Sequence, residues 1–210
     1  LELLPWDLNP KTVLDLGCGD GECSAAIQKR WPTCSITAVD LSEGMLLQAR
    51  KSAKLERVEF LQADMDESSW WRKNCWDLVY ANMALQWSAD GLQVVQRVRE
   101  GLRPGAYFAL GVFLDGTCGE LVSVFGACGV RLKPRPGFHT GAVVGGWLSV
   151  AGLSQFFTGE HREVEHFRNL LALLGKLRDL GAITGMEGHL TPGLLRRLEA
   201  YWREKYPDPR

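Results

Sequence analysis

Val13-Leu14-Asp15-Leu16-Gly17-Cys18-Gly19-Asp20-Gly21 is the stretch on which the reading of this chain turns. An apolar run enters a glycine turn and leaves it in an amphipathic segment, Gly21–Trp31, the pattern of a strand passing through a tight turn into a helix. Gly17 and Gly19, on either side of Cys18, keep the backbone free of Cβ atoms where a ligand would approach. The start of the helix adds backbone N–H groups that lack helical partners. A dinucleotide fingerprint would read GxGxxG. This turn reads GxGxG, with an acid two residues before its first glycine. Asp15 would repel a pyrophosphate and suits the ammonium end of an amino-acid-like ligand, which disfavours an NAD-dependent dehydrogenase.

Outward from this turn, the first 115 residues alternate short apolar runs with amphipathic stretches, as βαβ units around a parallel sheet do. Strands are expected at Thr12–Leu16, Ser35–Val39, Val58–Gln62, Trp76–Ala81 and Tyr107–Phe113. Helices are expected at Gly21–Trp31, Glu43–Leu55 and Leu92–Leu102, the last ended by Pro104 and Gly105. Beyond residue 115, Gly119–Cys128 reads as a helix and Gly129–Gly146 as a lid-like insertion rich in Gly, Pro and basic residues. Gln155–His166 reads as an alternating strand, followed by helices near Asn169–Leu180 and Thr191–Lys205. The expected layout is one α/β domain over 1–210, Rossmann-like, doubly wound and mostly parallel. It has a cofactor half (about 1–115), a lid after the fifth strand (about 116–150) and a C-terminal strand and helices (about 151–210).

The chain has 210 residues, 46% hydrophobic and 23% charged, ordinary values for a folded domain with a sizeable core. No apolar run approaches the roughly 18 residues of a membrane span, and residues 1–10 have no positively charged signal-peptide region. The first residue is Leu, which suggests a trimmed chain. Six cysteines without a CxxC pair read as reduced thiols of a cytoplasmic protein, and no Cys/His cluster has metal-ligand spacing. There is no GxSxG nucleophile elbow and no GK[ST] phosphate loop. The net charge of −1 hides an asymmetry: 12 basic and 17 acidic residues in 1–120, then 12 basic and 8 acidic in 121–210. The second half, at +4, suits an acidic partner, and neither half is basic enough for bulk nucleic-acid binding.

The D-x-G-x-G-x-G motif resembles that of class I S-adenosylmethionine-dependent methyltransferases, whose product is S-adenosylhomocysteine. Asp40 closes the second strand, where an acid accepts both hydroxyls of an adenosine ribose. In the methyltransferase pattern Leu41 and Met45 line the adenine. Asp64 is placed to accept from the adenine amine, with Met65 packed on the ring. Ligands of open α/β sheets sit beyond the carboxyl ends of the strands, so Asn82 should face the transferred methyl. Gln86 and Trp87 would wall the acceptor pocket. His139 lies in the lid and would contact substrate, whereas His161 and His166 read as surface residues.

Asp77-Leu78-Val79-Tyr80-Ala81-Asn82-Met83-Ala84-Leu85-Gln86-Trp87, Leu177-Arg178-Asp179-Leu180-Gly181-Ala182 and Leu190-Thr191-Pro192-Gly193-Leu194-Leu195 resemble the malonyl-acyl-carrier-protein O-methyltransferases of biotin synthesis. The resemblance runs from Val13 to Pro207. It implies methyl transfer to the free carboxylate of a malonyl thioester, a nucleophile already ionised at pH 7 that requires no general base. In that family an Arg in the insertion holds the carboxylate. Arg135, then Arg131, are the candidates here, beside Lys133, with Gly137 standing where the family has Arg before Phe138. An acidic acyl-carrier protein would dock on Arg131, Lys133, Arg135, Arg196, Arg197, Arg203 and Lys205. The family also has several tens of residues ahead of the first strand and an antiparallel seventh strand. Only about ten residues precede Thr12 here, and the chain reads as short at both ends. Alternatives are a carboxyl methyltransferase of the trans-aconitate type, which shares the Asn-x-x-Leu-Gln-Trp segment, and a non-catalytic methyltransferase-like partner protein.

Overall fold

Along β1 (Thr12–Leu16), Val13, Leu14 and Leu16 are completely buried. Successive strand residues face opposite sides of a sheet, so burial at consecutive positions means cover on both faces, the setting of a central parallel strand. The computed structural model describes residues 1–52, 55–130, 138–154, 157–179 and 190–207. In it β1 is the middle of a five-stranded parallel sheet with β2 (Ser35–Asp40), β3 (Val58–Gln62), β4 (Trp76–Asn82) and β5 (Leu102–Gly111), in the order β3-β2-β1-β4-β5. The chain winds outward from β1 first to one side and then to the other. The crevice beyond the carboxyl ends of β1 and β4 is therefore the switch point at which such sheets take ligands.

Helices α1 (Glu22–Arg30) and α2 (Glu43–Ser52) cover one face, where Ile27 and Leu46 join a core with Val13, Ile36, Ala38 and Leu78. Helix α3 (Gly91–Gly101) covers the other, its Val94, Val95 and Val98 in a core with Leu14, Leu16, Val79 and Ala81. Each valine so buried contributes on the order of 1.5–3 kcal/mol relative to an exposed one. After β5 come α4 (Gly119–Ala127), α5 (Gly141–Val150), α6 (Leu170–Asp179) and α7 (Pro192–Lys205).

The chain divides into two compact units, Leu1–Asp115 with Arg135–Gly159, and Gly116–Pro134 with Glu160–Arg210. The first holds the sheet, α1, α2, α3 and α5. The second packs α4, α6 and α7 around Phe125, Leu170, Leu198 and Trp202. The segment read as one lid, 116–150, is thus shared between the units. No helix among the described residues is long and apolar enough to cross a membrane, and all six cysteines are free thiols.

Three local expectations differ from what forms. Helix α5 replaces part of the glycine-rich lid. Each of its glycines costs about 1 kcal/mol of helix propensity, but Thr140 caps its start by accepting from Val143 N–H, and Trp147 packs on Gly91, where an added Cβ would lie 2.6 Å from the indole. The strand expected at Gln155–His166 is absent from the described residues 157–166, which are exposed throughout; with Phe157 and Val164 in solvent, the alternation has no face to bury. Strand β5 starts at Leu102, directly after α3, instead of after Pro104-Gly105. Leu102 pairs with Trp76 and Tyr107 with Leu78, so 103–106 loop out of the ladder. Pro104 offers no N–H and Gly105 has a φ of 79°, properties that suit a bulge.

Asp77 gathers the beginnings of three strands. Its Oδ2 accepts from the backbone N–H groups of Lys11 and Thr12 at 2.8 and 2.9 Å, and its Oδ1 from the Arg103 guanidinium at 2.8 Å. Burial pushes this carboxyl up, but the hydrogen bonds from Arg103, Thr12 and Lys11 outweigh it and hold the pKa below its ordinary value. A carboxyl with a lowered folded pKa stabilises above the unfolded value and loses that contribution as pH falls through the folded one. Asp77→Ala is expected to cost on the order of 1–3 kcal/mol at neutral pH. In urea melts the gap between parent and variant should close as pH falls below about 4.

Candidate cofactor site

The glycine turn leaves β1 by bonding across to β2. Gly17 and Cys18 N–H both donate to the Val39 carbonyl, at 2.8 and 2.9 Å. Gly17, Gly19 and Gly21 have φ of 73°, 56° and 85°, the left-handed region that side chains avoid. At Gly17 there is a second constraint: an added Cβ would lie 2.3 Å from the Ala84 methyl. The space is taken by the loop after β4, so this glycine is required by the protein's own packing.

Asp40 ties the turn to α2. Its Oδ2 accepts from Gly19 N–H at 2.9 Å and its Oδ1 from Ser42 N–H at 2.8 Å. A carboxylate has about four acceptor positions, so two remain. The Met45 terminal methyl comes within 3.4 Å of where a Gly19 Cβ would stand, and that of Met65 within 4.0 Å of the same position at Gly17. Leu41 is 63% exposed next to Asp40. Asp64 opens a tight loop, its Oδ1 accepting from Asp66 N–H at 2.9 Å and its carbonyl from the Trp70 indole at 2.7 Å.

Asp15 is only 1% exposed, with the Ser24 hydroxyl donating to its Oδ2 at 2.5 Å. Burial raises its pKa to about 6, the Ser24 bond opposes that, and the neighbouring Asp40 charge adds to it. Burial also pushes the Cys18 and Cys23 thiols up, so both stay protonated at neutral pH and neither is a ready nucleophile.

At the end of β4, Asn82 is exposed and leans on Gly111, where a Cβ would lie 2.4 Å from its Oδ1. Met83 follows with a φ of 52°. Gln86 donates its Nε2 to the Met83 carbonyl at 2.7 Å and is 5% exposed, its Oε1 buried without a partner among the described residues. It lies beneath this loop, while Trp87 is 41% exposed. His139 bridges to Leu114 beyond β5, with its ring edge-on to Trp147 at 4.7 Å. Arg131, Lys133, Arg135 and Gly137 lie outside the described residues.

The structure therefore gathers Asp15, Gly17, Cys18, Gly19, Asp40, Leu41, Met45, Asp64 and Met65 at the carboxyl ends of β1, β2 and β3. Asn82, Gln86 and Trp87 come together at and after the end of β4. Sequence reasoning missed Ser24 and Ala84, whose partners Asp15 and Gly17 lie 9 and 67 positions away. Ser24 has a faint signal, a hydroxyl in the first turn of the helix after the glycines; Ala84 has none. Free acceptors on Asp40, a buried carboxylate at Asp15, and two methionines flanking the turn suit a group that carries a ribose, an ammonium and an apolar ring.

A carboxyl whose folded pKa is raised stabilises fully below its unfolded value and loses that as pH rises through the folded one. Asp15→Asn keeps an acceptor for Ser24 and removes the buried charge. The variant is expected to match its parent near pH 4 and to exceed it at pH 7.5 by up to about 3 kcal/mol, measured by paired thermal melts.

Residues 13–105 match a family described as a methyltransferase domain. The malonyl-[acyl-carrier protein] O-methyltransferase of Priestia megaterium is 27% identical over 214 residues, covering 93% of this chain and 76% of the relative. The trans-aconitate 2-methyltransferase of Azoarcus sp. is 38% identical over 110 residues, covering 52% of this chain and 42% of the relative. The match thus spans about two fifths of that relative's length. A SAM-dependent methyltransferase from Aquifex aeolicus shares the fold with a TM-score of 0.53 at 20% identity, over 68% of this chain and 71% of that one. Residues 13–105 thus carry the likeness to a methyltransferase domain, and the sheet they contribute to has the order β3-β2-β1-β4-β5 in a fold shared with the Aquifex aeolicus structure.

Proposed function

We propose that this chain is an S-adenosylmethionine-dependent methyltransferase whose methyl acceptor is a carboxylate, specifically the free carboxylate of a malonyl thioester on acyl-carrier protein, as in early biotin synthesis. The carrying observation is the likeness to malonyl-[acyl-carrier protein] O-methyltransferase over 93% of the chain, where the match to the Azoarcus trans-aconitate enzyme extends over 52%. Both named substrates are carboxylic acids, which supports an oxygen nucleophile of low pKa.

When bound, S-adenosylmethionine supplies an electrophilic methyl on a positively charged sulfur. Asp40 offers its two remaining acceptor positions to the ribose hydroxyls, and Asp15 balances the ammonium from beneath the glycine turn. Gly17, Cys18 and Gly19 present backbone rather than side chain, Leu41, Met45 and Met65 flank the adenine, and Asp64 accepts from its amine. A carboxylate with a pKa near 4 is ionised at pH 7, so no residue has to remove a proton. The work left to the protein is alignment, worth up to about 7–11 kcal/mol in favourable cases, and exclusion of water. Asn82, Trp87 and His139 border the acceptor, Gln86 supports the Met83 carbonyl beside them, and Arg135 or Arg131 anchors the malonyl carboxylate.

Both units serve one methyltransferase domain in this reading, the first holding the cofactor and the second meeting the carrier. On α7, Arg196, Arg197, Arg203 and Lys205 are exposed, with Arg203 on Glu199 at 2.9 Å and Lys205 on the Ser123 hydroxyl at 2.6 Å. Exposed charges of this kind chiefly accelerate encounter with an acidic partner. Six free thiols go with a cytoplasmic setting.

The trans-aconitate reading has the higher identity on its side, 38%. A methylation assay decides between them: turnover is expected with malonyl-acyl-carrier protein, and turnover with trans-aconitate alone overturns the proposal. Replacing Arg131 and Arg135 together by Ala is expected to raise the acceptor KM at least about tenfold, a loss of about 1.4 kcal/mol, with cofactor affinity unchanged. Raising salt from about 50 to about 300 mM should lower kcat/KM for the carrier-bound substrate severalfold, as the Debye length contracts.

A further inference from the structure

Asp66 belongs to none of the roles above, yet both its carboxylate oxygens leave their own loop. Oδ1 accepts from the Ser88 hydroxyl at 2.6 Å and Oδ2 from the Ala89 backbone N–H at 2.7 Å. Ser88 is buried, and its Oγ accepts in turn from Asp90 N–H at 3.0 Å, while Asp90 caps α3 through Gln93 N–H. On its other side, Asp66 donates its N–H to Asp64 Oδ1. Arg97 of α3 adds a parallel tie to the Met65 carbonyl at 3.1 Å. Asp66 therefore joins the loop after β3, which carries Asp64 and Met65, to the loop after β4, which carries Gln86 and Trp87.

We propose that Asp66 is a positioning residue that couples the adenine side of the site to the acceptor side, so that seating the nucleoside orders residues 85–90. The proposal rests on the reading of Asp64 and Met65 as adenine contacts. Charge-assisted bonds of this length are strong, and a buried hydroxyl has no water to replace a lost acceptor. Two donors from one loop on one carboxylate make a two-point link that resists rotation. An amide accepts from only one of them and turns an NH2 toward the other.

The test is hydrogen exchange, read by mass spectrometry on the parent, Asp66→Asn and Ser88→Ala, with adenosine as the probe. Adenosine lacks the methionine part and so has no group to reach the acceptor side. Ser88→Ala keeps the Ala89 bond and serves in place of Asp66→Asn should that variant fail to fold. In the parent, adenosine is expected to slow exchange about fivefold both at 40–45 and 63–66 and at 85–90. In the variants the first two effects should persist and the third disappear. Calorimetry with S-adenosylhomocysteine should give a Kd about tenfold higher in the variants at unchanged stoichiometry.

Protection that stops at residue 67 in the parent, or survives undiminished at 85–90 in the variants, overturns the coupling. So does a lowered stoichiometry at unchanged Kd, which is what a merely structural role produces. A parent that binds neither adenosine nor S-adenosylhomocysteine overturns the cofactor reading, and the coupling with it.

Discussion

The buried carboxylate of Asp15 is the constraint around which the rest is arranged. It lies next to the end of a strand covered on both faces, so its charge is taken out of water, and one hydroxyl, that of Ser24, offsets part of the cost. That burial follows from the place of β1 in the sheet. The same place makes the end of β1 the point where the winding changes side, so the carboxylate and the ligand crevice coincide. The chain then leaves β1 through the glycine turn. Three glycines with positive φ allow it, and the Val39 carbonyl receives the two N–H groups exposed by the turn.

The remaining parts are ties between neighbouring strand ends. Asp40 joins the glycine turn to α2, Ala84 closes against Gly17, and Asp77 draws the opposite ends of the strands together through Lys11, Thr12 and Arg103. Apart from the local Asp40–Ser42 bond, each is a long-range bond or contact between strand ends that the sheet has already brought close. The proposed methyl transfer to an ionised acceptor would draw on this kind of rigidity more than on an acid or base, because its rate would depend on distance and angle. The raised thiols of Cys18 and Cys23 fit a site that binds and aligns.

Legibility differed sharply between the two parts of the chain. The five strands and α1 to α3 were readable because their apolar periodicities are strong and act within one element: β1 and β3 form at the expected residues, and the others differ at their ends. The positions of Asp40 and Asp64 at and just after strand ends were readable because strand ends recur at intervals in a wound sheet. Helix α5 was hidden by its glycines, since its stability comes from Trp147 on Gly91 and from the Thr140 cap. The alternation at 155–166 looked like a strand, but a strand requires a partner and a face to bury, and neither is encoded within ten residues. Gln86 read as a wall of the acceptor pocket. It is buried, on the Met83 carbonyl, because β4 is followed by a left-handed residue whose carbonyl takes a donor.

The parallel sheet and the glycine turn were already encoded locally in the chain, because periodicity and turn chemistry act over a few neighbouring residues. Only the tertiary structure decided that Asp15 is held by Ser24, that Gly17 answers to Ala84, and that Asp66 spans two loops. Those relations depend on which strand ends are neighbours and on how deeply each group is buried. Packing sets both, between residues that can be tens of positions apart.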